Sequence, residues 1–168
     1  MPKIIENLES RLIQEAQKQI EESGYNTMTI RSVAKACGVG VGTVYNYFPS
    51  KEQLLATYLL KDWNICFGTI QEASDTADSV VPVLRCIYDQ LFQYTQQNEN
   101  ILLDEAAMAA VAASFSRFHS ILRSQLSKPI RRFCRSDFEA EFLVESLMVW
   151  TSEGKSFDDI FSILEKLL

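Results

Sequence analysis

The sequence predicts an all-α protein. Apolar residues recur at three- and four-residue steps along nearly all of its 168 residues, no segment reads convincingly as a strand, and Ser, Thr, Gly and Pro fall where helices begin and end. Each predicted helix rests on its own stripe and its own punctuation.

The first helix spans about Lys3–Ser23. Ile5, Leu8, Leu12, Ala16 and Ile20 form one apolar stripe, and Gly24 sits at the C-terminal cap. The second opens at Thr29 as N-cap, turns Ile30, Val33 and Ala34 inward, and ends at Cys37-Gly38-Val39. The third covers about Val41–Tyr47, with Val44 and Phe48 on its buried side and Pro49 as its stop. Ser50-Lys51-Glu52-Gln53 is a capping box that launches a fourth helix through Leu54, Leu55, Tyr58, Leu59, Trp63 and Phe67, fading near Ser74.

A polar connection, Asp75–Ser79, leads to a fifth helix over about Val80–Gln97, with Pro82 tolerated in its first turn. Residues 100–127 read as alanine-rich helix with a break near Ala113 or Ser114, and Pro129 kinks or ends it. Ser136-Asp137-Phe138-Glu139 is a second capping box, opening a helix to about Thr151. Ser156-Phe157-Asp158-Asp159 starts the last helix, with Phe157, Ile160, Phe161, Leu164, Leu167 and Leu168 as its stripe.

Composition narrows the function classes. Apolar residues make up 47% and charged residues 23%, as in ordinary soluble domains. No apolar run approaches the roughly 18 residues of a membrane helix. The start, MPKIIENLES, lacks a signal-peptide core, so a cytoplasmic location and no membrane partner are expected. Cys37, Cys66, Cys86 and Cys134 form no CxxC and His119 has no neighbouring Cys, so neither a metal nor a cofactor is expected. Enzyme chemistry fares worst: there is no nucleophile–base–acid set and no phosphate-cradling glycine loop.

One stretch departs from the rest. The chain carries formal charge −6, yet residues 24–51, GYNTMTIRSVAKACGVGVGTVYNYFPSK, hold no Asp or Glu and include Arg31, Lys35 and Lys51. A surface without carboxylates can lie against phosphates without like-charge repulsion. The same stretch holds two short helices joined by a glycine turn, the form of a helix-turn-helix whose second helix enters the major groove. Gly42, Thr43, Tyr45, Asn46 and Tyr47 would face outward from that helix. It has no Arg or Lys, so base reading would fall to hydroxyl, amide and ring groups. Thr29, Arg31, Lys51 and the N-terminus of the helix starting at Lys51 would hold phosphates.

At these residues the sequence TMTIRSVAKACGVGVGTVYNYFPSKEQLL closely resembles the N-terminal signature of TetR/AcrR-family transcriptional regulators. The match spans about residues 5–55. It departs at Gly40 and Val41, where such proteins often have Ser or another polar residue. The resemblance implies an all-helical homodimer with a three-helix DNA-binding domain at residues 1–50 and a helical effector-binding and dimerisation domain at residues 51–168. It implies a palindromic DNA operator, a small-molecule effector and a repressor's role. It also implies DNA contacts from Thr43, Tyr45 and Tyr47 and a phosphate contact from Lys51.

The back half is read from its residues alone. Trp63, Phe67, Tyr88, Phe92, Met108, Phe115, Phe118 and His119 are candidate effector-pocket residues, apolar with a few polar tips. The helix from Asp137 is apolar on nearly all sides and the last helix has a wide stripe, so both need cover beyond one core. Phe138, Phe142, Leu143, Leu147, Trp150, Phe157, Phe161 and Leu164 are assigned to a four-helix homodimer interface. Lys128, Arg131, Arg132 and Arg135 read as a solvated basic face. Two functional readings stand at this point: an effector-responsive repressor, and an architectural or accessory DNA-binding protein with no small effector.

Overall fold

The computed structural model describes residues 7–168, apart from the side chains of residues 113–118. Among these residues there is no strand. The helices are α1 (Leu8–Ser23), α2 (Ile30–Cys37), α3 (Val41–Tyr47), α4 (Lys51–Thr76), α5 (Val80–Gln97), α6 (Glu99–Leu102), α7 (Glu105–Ile130), α8 (Asp137–Ser152) and α9 (Phe157–Leu164). A single 3-10 turn, Arg131–Phe133, separates α7 from α8. Among the described residues no helix is long and apolar enough to cross a membrane. The expected start of α1 near Lys3, with Ile5 in its stripe, falls outside the described residues.

The predicted punctuation has physical counterparts. Thr29 Oγ1 accepts the Ser32 N–H at 3.0 Å and Ser32 Oγ accepts the Thr29 N–H at 3.0 Å, a reciprocal box with serine in the usual glutamate place. Ser50, Ser136 and Ser156 accept the N–H groups of Gln53, Glu139 and Asp159 at 3.2, 3.1 and 3.2 Å. Glu139 reaches past its cap to the Arg135 N–H and guanidinium, the latter at 2.6 Å.

The alanine-rich region divides elsewhere than expected. It does not break near Ala113 or Ser114, because consecutive alanines are the best helix formers. The division falls at Leu103–Asp104, where Asp104 Oδ1 accepts the N–H groups of Ala106 and Ala107 at 2.9 and 3.0 Å and starts α7. Pro129 is tolerated one residue before the end of α7.

The chain packs as two compact units. One holds the residues through Lys61 together with Asn98–Ser114: α1, α2, α3, the first turns of α4, α6 and the start of α7. Its core gathers Leu12, Ala16, Ile20, Val33, Val44, Leu54 and Leu55. The Tyr58 hydroxyl donates to Asn98 Oδ1 at 2.7 Å inside it. The functional division expected at residue 50 therefore differs from the packing division, which keeps the start of α4 with the first three helices.

The other unit holds Asp62–Gln97 and Phe115–Leu168. Trp63 is fully buried in it, with its indole N–H donating to Gln125 Oε1 at 3.0 Å and its ring edge-on to Tyr94 at 5.5 Å. Helix α5 packs along α8, and α9 folds against α8. Ser74 donates to the Pro129 carbonyl at 2.7 Å, and Arg132 caps the carbonyls of Ser74 and Ala77, the latter at 2.8 Å. Much of the basic run is thereby committed: Arg131 pairs with Asp137 at 3.1 Å and Arg135 with Glu139.

Candidate nucleic-acid interface

Helices α2 and α3 meet at a turn built on Gly38, which adopts φ 69° in the left-handed region. The Val39 N–H reaches back to the Ala34 carbonyl at 3.0 Å and the Gly38 N–H to Lys35 at 3.2 Å, so the last carbonyls of α2 are satisfied as the chain reverses. Any residue with a Cβ would be strained there by its φ, although the space around it is open. Arg11 of α1 donates to the Cys37 carbonyl at 3.0 Å and pins the end of α2 to α1.

Helix α3 has seven residues, and Gly40 gives its start no side-chain cap. This is the structural consequence of the Gly40 departure. Val44 is the residue α3 fully buries, and Phe48 is buried just past its end. The remaining face is open: Gly42 and Asn46 are exposed, Tyr45 and Tyr47 keep 50% and 42% of their surface in solvent, and Thr43 is half-buried. Thr29 and Arg31 are also exposed, at the start of α2.

Lys51 has a more constrained setting than its sequence context suggests. Its ammonium lies 3.9 Å from the centroid of the Tyr25 ring and donates to the Tyr25 carbonyl. Partial burial pushes its pKa down, against the opposing pull of Glu52 and Asp104. The Tyr25 phenol is 3.4 Å from Glu52 Oε1. Burial, then the Glu52 charge and hydrogen bond, then Asp104, push its pKa from 10.0 to about 12. Asp104 Oδ2 accepts the Tyr25 N–H at 3.0 Å, and the N–H donors of Ala107 and Tyr25 hold its carboxyl below the usual range.

Sequence reasoning missed Asp104 in this cluster. The local signal was present, an aspartate ahead of Glu105-Ala106-Ala107, but its contact with Tyr25 lies 79 residues away along the chain.

The residues assigned to an effector pocket are dispersed in character. Trp63 is core; Phe67 and Met108 are half-buried, with Met108 in the first unit and the others in the second. Tyr88 stacks on Phe92 at 6.2 Å, meets Phe157 edge-on at 5.6 Å and donates to the Lys155 carbonyl at 3.1 Å. His119 is exposed, 3.6 Å from Glu145, which Arg123 also approaches at 3.6 Å. The side chains of Phe115 and Phe118 lie outside the described residues.

Of the residues assigned to a dimer interface, Leu143, Leu147, Phe157 and Leu164 are buried within the protomer itself. They belong to the core of the second unit. Phe138, Phe142 and Trp150 are exposed at 76%, 44% and 48%, and Phe161 is half-buried. An open groove of about 520 Å³ runs between α8 and α9, lined by Phe142, Ser146, Trp150, Ile160, Ile163 and Leu167 among others. In the first unit a groove of about 490 Å³ lies between the start of α4 and α7.

Comparison with known proteins agrees with this geometry. Residues 12–58, which run from α1 into α4, match the model for bacterial regulatory proteins of the tetR family. An HTH-type transcriptional regulator of Staphylococcus aureus is 29% identical over 98 residues, 58% of this chain and 52% of the relative. The HTH-type transcriptional regulator YuxN of Bacillus subtilis is 35% identical over 94 residues, 56% of this chain and 30% of that protein. The chain thus spans about half, or less, of the length of these relatives. Among solved structures, a TetR transcriptional regulator from Legionella pneumophila superposes with TM-score 0.61 at 16% identity, covering 98% of this chain and 99% of that one. FadR from Thermus thermophilus, a TetR-family repressor solved with lauroyl-CoA, superposes with TM-score 0.63 at 19% identity, covering 95% and 92%. Residues 12–58 are thus similar to the N-terminal region of the tetR family of bacterial regulatory proteins, and the chain shares its all-helical fold with solved TetR-family structures.

Proposed function

We propose that the chain acts as a homodimeric, DNA-binding transcriptional repressor that a small apolar or amphipathic effector releases from a palindromic operator. The observation that carries the DNA-binding reading is the outer face of α3. It is solvent-facing, free of carboxylates, and presents Thr43, Tyr45, Asn46 and Tyr47 beyond a rigid glycine turn. Thr43 offers a methyl and a hydroxyl to base edges, Asn46 a donor–acceptor pair suited to adenine, and the tyrosines ring faces and hydroxyls. Without Arg or Lys on α3, affinity rests on phosphate contacts from Thr29, Arg31 and Lys51 and on joining two copies.

Two copies related by a two-fold axis would present their α3 helices about 34–36 Å apart, one turn of the duplex. The exposed apolar residues of α8 and α9 support this pairing. The effector class is supported by two relatives of the same fold, FadR of T. thermophilus and FadR of Bacillus subtilis, solved with lauroyl-CoA and stearoyl-CoA. An effector would act only through its different affinity for the DNA-competent and DNA-incompetent states.

A gel shift on the DNA upstream of the gene tests the reading. The wild type retards that fragment at moderate salt, and arbitrary DNA competes for it poorly. Tyr47→Ala loses about tenfold or more on the specific fragment, within the range of one good base contact. No sequence-specific shift, or full specific affinity in Tyr47→Ala, would refute the docking of α3. Acyl-CoA thioesters added to the complex should release the DNA; release by none of a chain-length series would remove that effector class.

A further inference from the structure

We infer that Asp104 is a positioning residue for DNA binding, acting through Tyr25 to hold the Lys51 ammonium ready for a phosphate. The inference rests on the DNA-facing role proposed for Lys51. A helix cap needs one carboxylate oxygen, and Asp104 spends Oδ1 on α7 through Ala106 and Ala107. Its second oxygen is committed elsewhere, to the Tyr25 N–H at 3.0 Å. The carbonyl of the same residue accepts from Lys51 Nζ, and the Tyr25 ring lies under that ammonium at 3.9 Å. Tyr25 is therefore held from its amino side by the start of α7 and holds Lys51 with its carbonyl and ring.

Lysine has three N–H donors on a flexible stem. One donor is used on Tyr25, which leaves two for a phosphate oxygen. Fixing the stem before DNA arrives lowers the ordering cost at binding. The same geometry makes the first residues of α7 a handle on Lys51. A shift of α7 that withdraws Asp104 frees the Tyr25 peptide and lets the ammonium wander.

Asp104→Asn separates capping from positioning. The amide oxygen caps α7 as well as a carboxylate does, while the amide NH2 meets the Tyr25 N–H donor to donor. Binding is read by fluorescence anisotropy on a labelled duplex of arbitrary sequence, across a salt series, for wild type, Lys51→Ala, Asp104→Asn and the double variant, each checked for helicity by circular dichroism. Lys51→Ala should weaken binding and reduce the salt slope by about one. Asp104→Asn should weaken it by about threefold to fivefold, and by less than about twofold once Lys51 is gone.

An equal loss in both backgrounds, or no loss from Asp104→Asn while Lys51→Ala is impaired, overturns the positioning role and leaves the DNA-binding reading intact. A neutral Lys51→Ala overturns the role given to Lys51, and this inference with it. If Asp104→Asn does not fold, Asp104→Ser, whose one oxygen is taken by the cap, carries the same comparison.

Discussion

Replacing Phe142 by glutamate tests the proposed assembly most directly. Phe142 keeps 44% of its surface exposed on α8, beside Phe138 at 6.3 Å between ring centroids, and lines the groove between α8 and α9. A fully buried aromatic side chain removes about 150–250 Å² from water. The exposed share is therefore about 90 Å² per copy, and a two-fold interface uses each copy once. At about 25 cal/mol per Å², covering both rings contributes roughly 4 kcal/mol to dimerisation. Losing it raises the dimer Kd by about three powers of ten. A carboxylate in its place adds a desolvation cost, so this is a lower estimate. Sedimentation velocity across a dilution series should show wild-type dimers and Phe142→Glu monomers with unchanged helicity by circular dichroism. A Phe142→Glu protein that stays dimeric at the wild-type dilution limit would place the interface on another face.

Two further outcomes follow from the first unit. Thr29→Ala removes the acceptor for the Ser32 N–H at the start of α2, which should cost about 1 kcal/mol and lower Tm by about 2–4 °C in a thermal melt. An unchanged Tm would mean the box contributes nothing. The Tyr25 phenol, raised from 10.0 to about 12, favours the fold in its protonated form. That contribution is complete below pH 10 and drains away as pH climbs toward 12. Phenolate absorbance of the wild type minus that of Tyr25→Phe, with helicity monitored, should show a component titrating near 12; a midpoint near 10 in the folded protein would contradict the geometry around Glu52.

Much of the fold was legible because its signals are local. The Thr29, Ser50, Ser136 and Ser156 caps, the Gly38 turn and the Pro49 stop each depend on residues within one helical turn of one another. The division at Asp104 was hidden for two reasons: the alanines that follow favour uninterrupted helix, and no Gly or Pro marks Leu103. The site was legible where it depends on exposure, as for Tyr45 and Tyr47 on a helix that buries Val44. It was not where it depends on a distant partner, as with Asp104 and Tyr25. Helix α8 shows a third limit. Its apolar residues surround the axis, and periodicity cannot tell which stripe meets the protomer's own core. Packing assigns Leu143 and Leu147 inward and leaves Phe138, Phe142 and Trp150 outside.

The poverty of α3 is itself informative. Seven residues that include Gly42, Thr43 and two tyrosines would not hold a helix in water, and Gly40 supplies no cap. Its order is borrowed from Val44, from Phe48 just beyond its end, and from the α1–α2 pair that Arg11 fastens. A helix of this kind carries few internal bonds that resist adjustment, so its position follows the elements that grip it. On one side that grip is the Gly38 turn. On the other it is the start of α4, where Lys51 is tied to Tyr25 and Tyr25 to the cap of α7. The start of α7 is thus linked to Lys51 through two hydrogen bonds on a single residue, Tyr25, rather than through wholesale repacking of the core. If Lys51 meets a phosphate as proposed, a change at the start of α7 too small to disturb Leu12, Val33 or Val44 would then still be enough to alter that contact.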